Sequence, residues 1–434
     1  MSRQVNEIKA LIEESMASVK ADVTLRLWDG SVFEFQRSKK ENIEVIITSP
    51  DAVRRLLLSP GIATVFGLYG NGDVVIKDVS PLELMLATDH VSIKRFFKTY
   101  SKAKLLKALL PFLFNRDKAF QQRAFFTSWL DRTRRDKDMI QFHYDVSNDF
   151  YKLFLDDNMV YTCAYFRDWN NDIHQAQFDK LDHICKKLRL KSGEKMLDIG
   201  CGWGALACHA AEHYGVTVKG VTLSQQQCDL ANETIKTRGL SDVVTVELSD
   251  FRDLEETDHY DKIAMIGIFE HIGRINHDIY FEKIHEMLKR RGLVLHHAIT
   301  RKATLDLSEF DRPTGYMKAI TKYIFPGGEL DYIGRTLSSL ERKGFEVQDT
   351  EALRPHYHKT LVHWHDRLWE NREQANEMVG ESVVRLWLLY FALFVRGFDR
   401  GSVHLFQTLA SKRVWGPSGL PPTREYMYES DPKD

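Results

Sequence analysis

The 434-residue sequence has few cysteines, no long apolar run and almost no net charge. Its five cysteines lie between residues 163 and 228 without a C-x-x-C pair, so they indicate neither a disulfide framework nor a zinc site. The longest apolar run, residues 386–395, is too short for a bilayer span, which needs about 20 residues. The N-terminus lacks the apolar core of a signal peptide. The net charge of −1 argues against a globally basic nucleic-acid binder. These absences predict a reduced, cytoplasmic protein.

What the sequence does contain is a glycine-rich segment, MLDIGCGWGALACHAAEHYGVTVKGVTLS, at residues 196–224. An apolar stretch ends at Asp198, and Gly200, Gly202 and Gly204 follow at alternating positions before a helical pattern and a second apolar strand. This order predicts a strand, a tight turn, a helix and a parallel strand, as in a doubly wound, Rossmann-like sheet. Ligands of such sheets bind at the carboxyl ends of the strands, so residues 198–204 should form the floor of a cofactor site.

The spacing of the glycines narrows the choice of cofactor. Dinucleotide sites favour G-x-G-x-x-G with an acidic residue about 20 positions later, which binds the ribose. Here the pattern is D-x-G-x-G-x-G, the second strand ends at Thr222 without a carboxylate, and no phosphate-binding loop motif is present. The spacing resembles the first motif of class I S-adenosylmethionine (AdoMet) methyltransferases. A plain strand-to-helix turn is the alternative interpretation.

The composition divides the chain into four parts. Residues 1–92 should form a small α+β domain that engages lipid or mediates dimerisation, with a hairpin around a two-residue Asp29-Gly30 turn. Residues 93–137 form a basic amphipathic linker that ends in Arg132, Arg134 and Arg135, and it either lies on an anionic membrane or is a solvated helix. Residues 138–415 alternate as an α/β catalytic domain, with a helical insertion at 308–339 and a final helical region to about residue 412. Residues 416–434 should form a flexible tail.

Four polar segments outside the glycine loop are candidates for chemistry. They contain the candidate residues Cys163 in segment 143–166, Glu270 in 266–273, His296 and His297 in 293–300, and Tyr357 in 354–368. Each also has a purely structural interpretation, such as core packing, a helix cap or a surface turn. At most one of two adjacent histidines on a strand can face a site, because successive side chains point to opposite faces.

These segments resemble the cyclopropane-fatty-acyl-phospholipid synthase family. The shared motifs, which fall between about residues 137 and 412, are HYDVSNDFY, YTCAYF, LDIGCGWG, GVTLSQQQ, GIFEHIG and KYIFPGGELD. The segments PDAVRRLLLSPG and YGNGDVVIKD resemble the family's smaller lipid-engaging domain more loosely. The resemblance implies a class I AdoMet methyltransferase fold with a small N-terminal α+β domain. It further implies an enzyme that transfers a methylene group from AdoMet to the cis double bond of unsaturated phospholipid acyl chains, forming a cyclopropane ring at the inner face of a membrane.

The resemblance also implies roles for individual residues. A bound bicarbonate would act as the base, held by Cys163, Glu270, His297, Tyr357 and the backbone of Ile299. Gln227 would bind the AdoMet ribose and Phe251 would lie on its adenine. The full set of implied cofactor residues is Tyr161, Thr162, Asp198, Gly200, Cys201, Gly202, Thr222, Gln227, Asp250 and Phe251. No metal site is implied, and a homodimer is a possibility that the family allows.

The sequence departs from the family at one position. Some members carry a cysteine in the late helix, where this chain has Phe394. The complete bicarbonate set favours ring formation without that cysteine. The closest alternative is a lipid methyltransferase that makes methyl- or methylene-branched chains. A small-molecule AdoMet methyltransferase and a non-enzymatic lipid-binding protein are the wider alternatives.

Overall fold

A computed structural model of the chain describes residues 2–16, 22–35, 43–88, 147–325 and 327–428. Two compact units account for these residues. One unit contains the described residues of Met1–Trp129, together with Arg312–Ile324 and Leu368–Leu393. The other contains those of Leu130–Asp311, Phe325–Arg367 and Phe394–Asp434. The predicted basic linker at 93–137 lies outside the described residues.

The described helices and strands alternate along most of the chain. The helices are α1 (Ser2–Met16), α2 (Pro50–Leu58), α3 (Ile62–Gly70), α4 (Pro81–Ala87), α5 (Asn148–Lys152), α6 (Ile173–Leu188), α7 (Ala205–Tyr214), α8 (Gln225–Thr237), α9 (Phe269–Ile272), α10 (His277–Met287), α11 (Leu307–Phe310), α12 (Gly315–Tyr323), α13 (Ile333–Arg342), α14 (Arg354–Glu370), α15 (Arg372–Val379) and α16 (Glu381–Asp399). The strands are β1 (Val23–Arg26), β2 (Val32–Phe35), β3 (Ile43–Ile47), β4 (Val74–Ile76), β5 (Lys195–Ile199), β6 (Thr217–Thr222), β7 (Val244–Leu248), β8 (Tyr260–Ile266), β9 (Leu288–Arg301), β10 (Phe345–Ala352) and β11 (Val403–Lys412).

The first unit is built on a four-stranded sheet in the order β2-β1-β3-β4. β1 pairs antiparallel with β2 and parallel with β3. The predicted hairpin is present, but Leu27 N–H donates to Ser31 O at 2.9 Å, so three residues and not two form the turn. Its core contains Leu27, Phe33, Ile47 and Leu68.

Helix α3 was missed in the glycine-rich stretch 61–77 because glycine disfavours helices. Close packing against other side chains offsets the cost of glycine in this helix. A Cβ atom on Gly67 would lie 2.6 Å from the Tyr323 hydroxyl, and one on Gly70 would lie 2.8 Å from Leu386 Cδ2. The two glycines therefore allow close packing by residues that are distant in sequence.

The second unit has a seven-stranded sheet in the order β10-β11-β9-β8-β5-β6-β7. Strands β5 to β9 are parallel, and β11 is antiparallel to both β9 and β10. Two apolar clusters cover the sheet, one containing Met196, Ala207 and Val218 and the other containing Leu197 and Phe281. This arrangement confirms the predicted α/β fold of the class I AdoMet methyltransferase type with a small N-terminal domain.

The predicted final helical region was wrong beyond α16, because residues 403–412 form strand β11. Neighbouring residues such as Leu405, Gln407, Thr408 and Leu409 are all buried. A strand that is buried on both faces loses the polar alternation that identifies a strand in a sequence. Helix α14 begins at Arg354, where a surface turn was one interpretation, and Pro355 is compatible with its first turn.

Residues 416–428 are not a loose tail. Met427 is buried, its carbonyl oxygen lies 3.2 Å from His183 Nδ1, and Arg424 donates to Gln348 O at 2.7 Å. All five cysteines are buried and unpaired. Within the described parts of the chain, no helix has both the length and the apolar character of a membrane span.

Candidate active site

The glycine turn after β5 folds tightly onto the neighbouring strand β6. The backbone N–H groups of Gly200 and Cys201 both donate to Val221 O, at 2.9 and 3.1 Å. Gly200 has a φ of 73°, and a Cβ atom there would lie 2.0 Å from Ile268 Cγ2. Only glycine satisfies both the left-handed backbone and the close approach of the loop that follows β8.

A cavity of about 290 Å³ opens at the carboxyl ends of β5, β6, β7 and β8. This is the edge at which parallel α/β sheets bind ligands. All ten residues that the sequence analysis assigned to the cofactor line this cavity: Tyr161, Thr162, Asp198, Gly200, Cys201, Gly202, Thr222, Gln227, Asp250 and Phe251. The structure therefore brings the whole predicted cofactor set together.

Contacts inside the cavity wall limit what each polar group can offer a ligand. Thr222 Oγ1 donates to Gln227 Oε1 at 2.8 Å, so the NH₂ group of Gln227 is the part that can serve as a donor. The Asp250 carboxylate accepts hydrogen bonds from the backbone and guanidinium of Arg252. Phe251 packs edge-on against Tyr280, with ring centroids 5.0 Å apart.

Asp198 and Lys180 are the charged groups in the depth of this wall. Burial raises the pKa of Asp198 to about 7, although the charge of Lys180 opposes that shift. Burial also lowers the pKa of Lys180 to about 8, and its Nζ donates to Thr162 Oγ1 at 3.1 Å. Sequence analysis missed Lys180. The available signal was a lysine four residues after Ala176 and four before Ile184, two apolar positions on the same face of a helix.

A second polar group lies next to the cavity, between the loop after β8 and strand β9. Glu270 Oε1 accepts a hydrogen bond from the Ile299 backbone N–H at 2.5 Å, whereas Glu270 Oε2 is buried and has no hydrogen-bond partner among the residues that the structure describes. Burial raises the pKa of Glu270 to about 7, despite the opposing effect of the Ile299 N–H. A buried acceptor of this kind is expected to receive a hydrogen bond from a ligand.

The structure distinguishes the two adjacent histidines. The His296 ring lies 4.4 Å from the Phe269 ring, and neither of its nitrogens has a hydrogen-bond partner, so His296 is a core residue. His297 lies two positions before Ile299, and its Nδ1 is 3.1 Å from Gln407 Nε2. Burial lowers the pKa of His297 far below its ordinary value, so its ring is neutral.

Cys163 and Tyr357 are connected through helix α14. The Cys163 thiol contacts Ala164 O at 3.2 Å, and the Ala164 N–H donates at 3.0 Å to Oγ1 of Thr360, which follows Tyr357 by about one helical turn. Burial raises the pKa of Cys163 well above its ordinary value, so the thiol stays protonated and is a poor nucleophile. Tyr357 is nearly buried, with its ring centroid 4.9 Å from that of Phe398.

Gly267 brings the predicted oxyanion residues close to the predicted cofactor residues. Its N–H donates to His297 O at 2.9 Å, and a Cβ atom at this position would lie 2.8 Å from the Thr162 methyl group. Thr162 precedes Cys163 and lines the cofactor cavity. The predicted oxyanion residues thus adjoin the predicted cofactor residues.

A profile of the family described as mycolic acid cyclopropane synthetase matches residues 131–408. The chain belongs to this family. It is 36% identical over 427 residues to a probable fatty acid methyltransferase of Pseudomonas putida. That alignment covers 96% of this chain and 99% of the relative. It is also 36% identical over 273 residues to the cyclopropane-fatty-acyl-phospholipid synthase of Escherichia coli, which covers 63% of this chain and 67% of the relative.

The catalytic unit also resembles solved structures of the family. The mycolic acid cyclopropane synthase CmaA1, solved with SAH and CTAB, has 34% sequence identity and a TM-score of 0.60, covering 64% of this chain and 98% of that one. The chain is therefore an AdoMet-dependent enzyme of the cyclopropane synthase family. This excludes the non-enzymatic alternative.

Two further features of this chain are the packing of Phe394 and the arrangement of its potential metal ligands. Phe394, which the sequence analysis matched to the late-helix cysteine of some members, packs near Phe398 with ring centroids 6.3 Å apart. Within the described ranges, no group of three or more histidine, cysteine or acidic side chains is arranged to hold a metal ion.

Proposed function

We propose that this enzyme transfers a methylene group from AdoMet to the cis double bond of unsaturated phospholipid acyl chains, forming a cyclopropane ring. The observation that carries the proposal is the buried Glu270 Oε2, which has no hydrogen-bond partner among the described residues. Glu270 lies between Ile268 and His271, which line the cofactor cavity, and its other oxygen bonds to Ile299 on strand β9, the strand of His297. A branching lipid methyltransferase needs the same cofactor cavity. A dedicated oxyanion site favours ring closure, because closure requires a base beside the transferred methyl group.

The cavity fits AdoMet in size and chemistry. The turn at Gly200 allows close backbone approach, Gln227 offers amide donors to a ribose, and Phe251 offers an aromatic face. Asp198, when ionised, favours a cationic ligand in this buried setting. When bound, AdoMet would supply an electrophilic methyl group to the alkene carbon, with SAH as the leaving group, and a base held beside that methyl group would take up the proton released on ring closure.

The second polar group fits a small oxyanion such as bicarbonate. Glu270 Oε2 would accept the hydroxyl hydrogen of bicarbonate, and His297 and Tyr357 would donate to its oxygens. The Cys163 thiol would donate as well once its S–H turns from Ala164 O. The Ile299 N–H is committed to Glu270, so its role is to hold that carboxylate in place. This set would keep the base beside the methyl group and exclude water from it.

The proposed class of lipid substrate is supported by the names of the relatives. The E. coli relative is named for phospholipid and covers 63% of this chain. The P. putida relative, which covers nearly the whole chain, is named a probable fatty acid methyltransferase. That name favours the branching lipid methyltransferase as a second candidate.

Membrane association and dimerisation belong to the same proposal. Substrate within a bilayer requires the enzyme to act at a membrane surface, and the basic residues Arg132, Arg134 and Arg135 are suited to an anionic one. Reversing these three charges should weaken binding to anionic vesicles and remove its salt dependence. Unchanged vesicle binding would contradict a membrane role for this segment. Sedimentation of the purified protein tests the proposed homodimer.

The enzymatic proposal is tested with purified protein, methyl-labelled AdoMet and vesicles of a mono-unsaturated phospholipid. We expect label to enter the acyl chains only when the chains are unsaturated, with stimulation by bicarbonate after carbon dioxide has been removed. Label transfer to saturated chains, or no transfer to any phospholipid, would contradict the proposal. Free mono-unsaturated fatty acid serves as the competing substrate.

A further inference from the structure

A series of buried hydrogen bonds starts at Nδ1 of His297, on the side of the ring opposite Nε2. His297 on β9 lies directly across from Gln407 on β11, and both side chains are essentially inaccessible to solvent. Gln407 Nε2 is 3.1 Å from His297 Nδ1, and Gln407 Oε1 is 2.9 Å from Lys187 Nζ. Lys187 Nζ also lies 2.5 Å from Glu351 Oε2.

The chemistry of these groups fixes the direction of every hydrogen bond. A lysine ammonium group has donors only, so the Gln407 oxygen must accept from Lys187. The amide NH₂ group must then face His297, and it donates to Nδ1. Because Nδ1 accepts, the single proton of a neutral imidazole is left on Nε2.

Glu351 keeps the far end of this series of hydrogen bonds charged. Burial alone would raise the pKa of Glu351, but the hydrogen bond from His183 and the charge of Lys187 lower it to about 2. Burial lowers the pKa of Lys187, and the Glu351 carboxylate at 2.5 Å opposes this shift and favours the ammonium form. Because the Glu351 carboxylate can only accept, Lys187 donates to it and to the Gln407 oxygen, and the orientation of the Gln407 amide is retained.

We propose that Lys187 and Gln407 are positioning residues that hold His297 as the neutral tautomer with its proton on Nε2, so that Nε2–H donates to the bound oxyanion. The inference rests on the proposed function for the role of that oxyanion, but the tautomer itself does not. The neighbouring His296 has no such partner on either nitrogen.

The tautomer can be measured directly by NMR on the full-length protein labelled with ¹⁵N-histidine. Two-bond ¹H–¹⁵N correlations distinguish a protonated ring nitrogen from an unprotonated one, and His297→Asn identifies the signal. We expect the wild-type spectrum to show a protonated Nε2 and an unprotonated Nδ1 at His297. A proton on Nδ1 in the wild-type protein would overturn the inference, and this result needs no variant to fold.

The Gln407→Glu variant reverses the arrangement with almost no change of shape. A carboxylate can only accept, so Nδ1 becomes the protonated nitrogen. We expect kcat to fall by about a hundredfold, as for loss of one oxyanion donor, with KM for AdoMet unchanged. Gln348→Glu is the matched control, because Gln348 bonds to Ser411 and not to a histidine. It should leave both the His297 signal and kcat unchanged.

The outcomes separate this inference from the proposed function. An unchanged tautomer or an unchanged kcat in Gln407→Glu would overturn the positioning role. If the wild-type protein forms no cyclopropane lipid while the tautomer is as expected and reverses in Gln407→Glu, the proposed function fails and the assignment of the tautomer stands.

Discussion

Glu270 and Ile299 are joined by a 2.5 Å hydrogen bond from the Ile299 backbone N–H to one carboxyl oxygen of Glu270. The bond ties the short helix after β8 to the neighbouring strand β9. It commits Oε1 and leaves Oε2 buried with no hydrogen-bond partner. One side chain is thus both fixed in position and able to accept a hydrogen bond from a ligand.

The first prediction concerns the pH dependence of turnover. Burial raises the pKa of Glu270 from its ordinary 4.5 to about 7, so the carboxylate forms only as the pH rises through that value. With AdoMet saturating, kcat should rise through about pH 7, because kcat reports the groups of the bound complex. Glu270→Gln should retain AdoMet binding, lower kcat by about a hundredfold and remove this rise.

The matched control for that experiment is Glu256→Gln. The hydrogen bond and charge of Lys219 hold the pKa of Glu256 at about 2 despite partial burial, so this carboxylate is ionised throughout the range tested. The control should retain the rise in kcat near pH 7. A rise of unchanged size and position in Glu270→Gln would show that Glu270 is not the titrating group.

The second prediction concerns AdoMet affinity. Burial raises the pKa of Asp198 to about 7, so the residue loses its charge as the pH falls through that value. The Kd for AdoMet, measured by calorimetry, should therefore increase between about pH 8 and about pH 6. Asp198→Asn should give a higher Kd with a smaller dependence on pH, the remainder coming from Lys180 in the same wall, whose pKa is about 8. SAH has no sulfonium charge and should show a smaller dependence in the wild-type protein; an equal dependence would exclude a charge interaction.

The third prediction compares two glycines of the cofactor turn. Gly200→Ala adds a Cβ atom that clashes with Ile268, whereas a Cβ atom on Gly202 meets no atom within 4 Å. Both residues have positive φ, which costs about 1–2 kcal/mol in alanine. Gly200→Ala should cost about 1–3 kcal/mol more in unfolding free energy, because of overpacking, and should abolish AdoMet binding. Equal destabilisation in denaturant titrations would contradict the packing at this turn.

Much of the catalytic fold was predictable because its parallel strands are continuous apolar runs followed by glycine or polar residues. Strand β11 could not be recognised, because burial on both faces removes alternation and its partners, β9 and β10, are remote in sequence. Helix α3 was missed because tertiary packing at Gly67 and Gly70 overrides a local preference.

The fourth prediction tests that tertiary packing within the N-terminal unit. Gly70→Ala places a methyl group 2.8 Å from Leu386 Cδ2, so it should destabilise the protein by about 1–3 kcal/mol despite the better helix propensity of alanine. Combined with Leu386→Ala, the substitution should cost much less than the sum of the two. Gly61→Ala is the control, because a Cβ atom there meets no atom within 4 Å. Additive effects would place Leu386 away from Gly70.

The site was predictable only in part: the sequence indicates residues that face a ligand, but not residues that act through another side chain. Motifs and resemblance supplied the cofactor set and the groups that face a ligand, such as Glu270 and His297. The sequence could not supply Lys180, Lys187 or Gln407, because each acts through a partner that only the packed sheet brings near. A buried lysine or glutamine is recognisable in a sequence only once its strand or helix is known to be buried.

The central claim, ring formation on phospholipid acyl chains, is tested most directly by mass spectrometry of fatty acids. The protein is expressed in a host that lacks its own synthase and is supplied with methyl-labelled methionine. We predict that mono-unsaturated phospholipid chains gain one labelled methylene unit, lose the double bond and resist hydrogenation under conditions that reduce alkenes. The same gain with an alkene still present would contradict ring formation and identify a branching lipid methyltransferase.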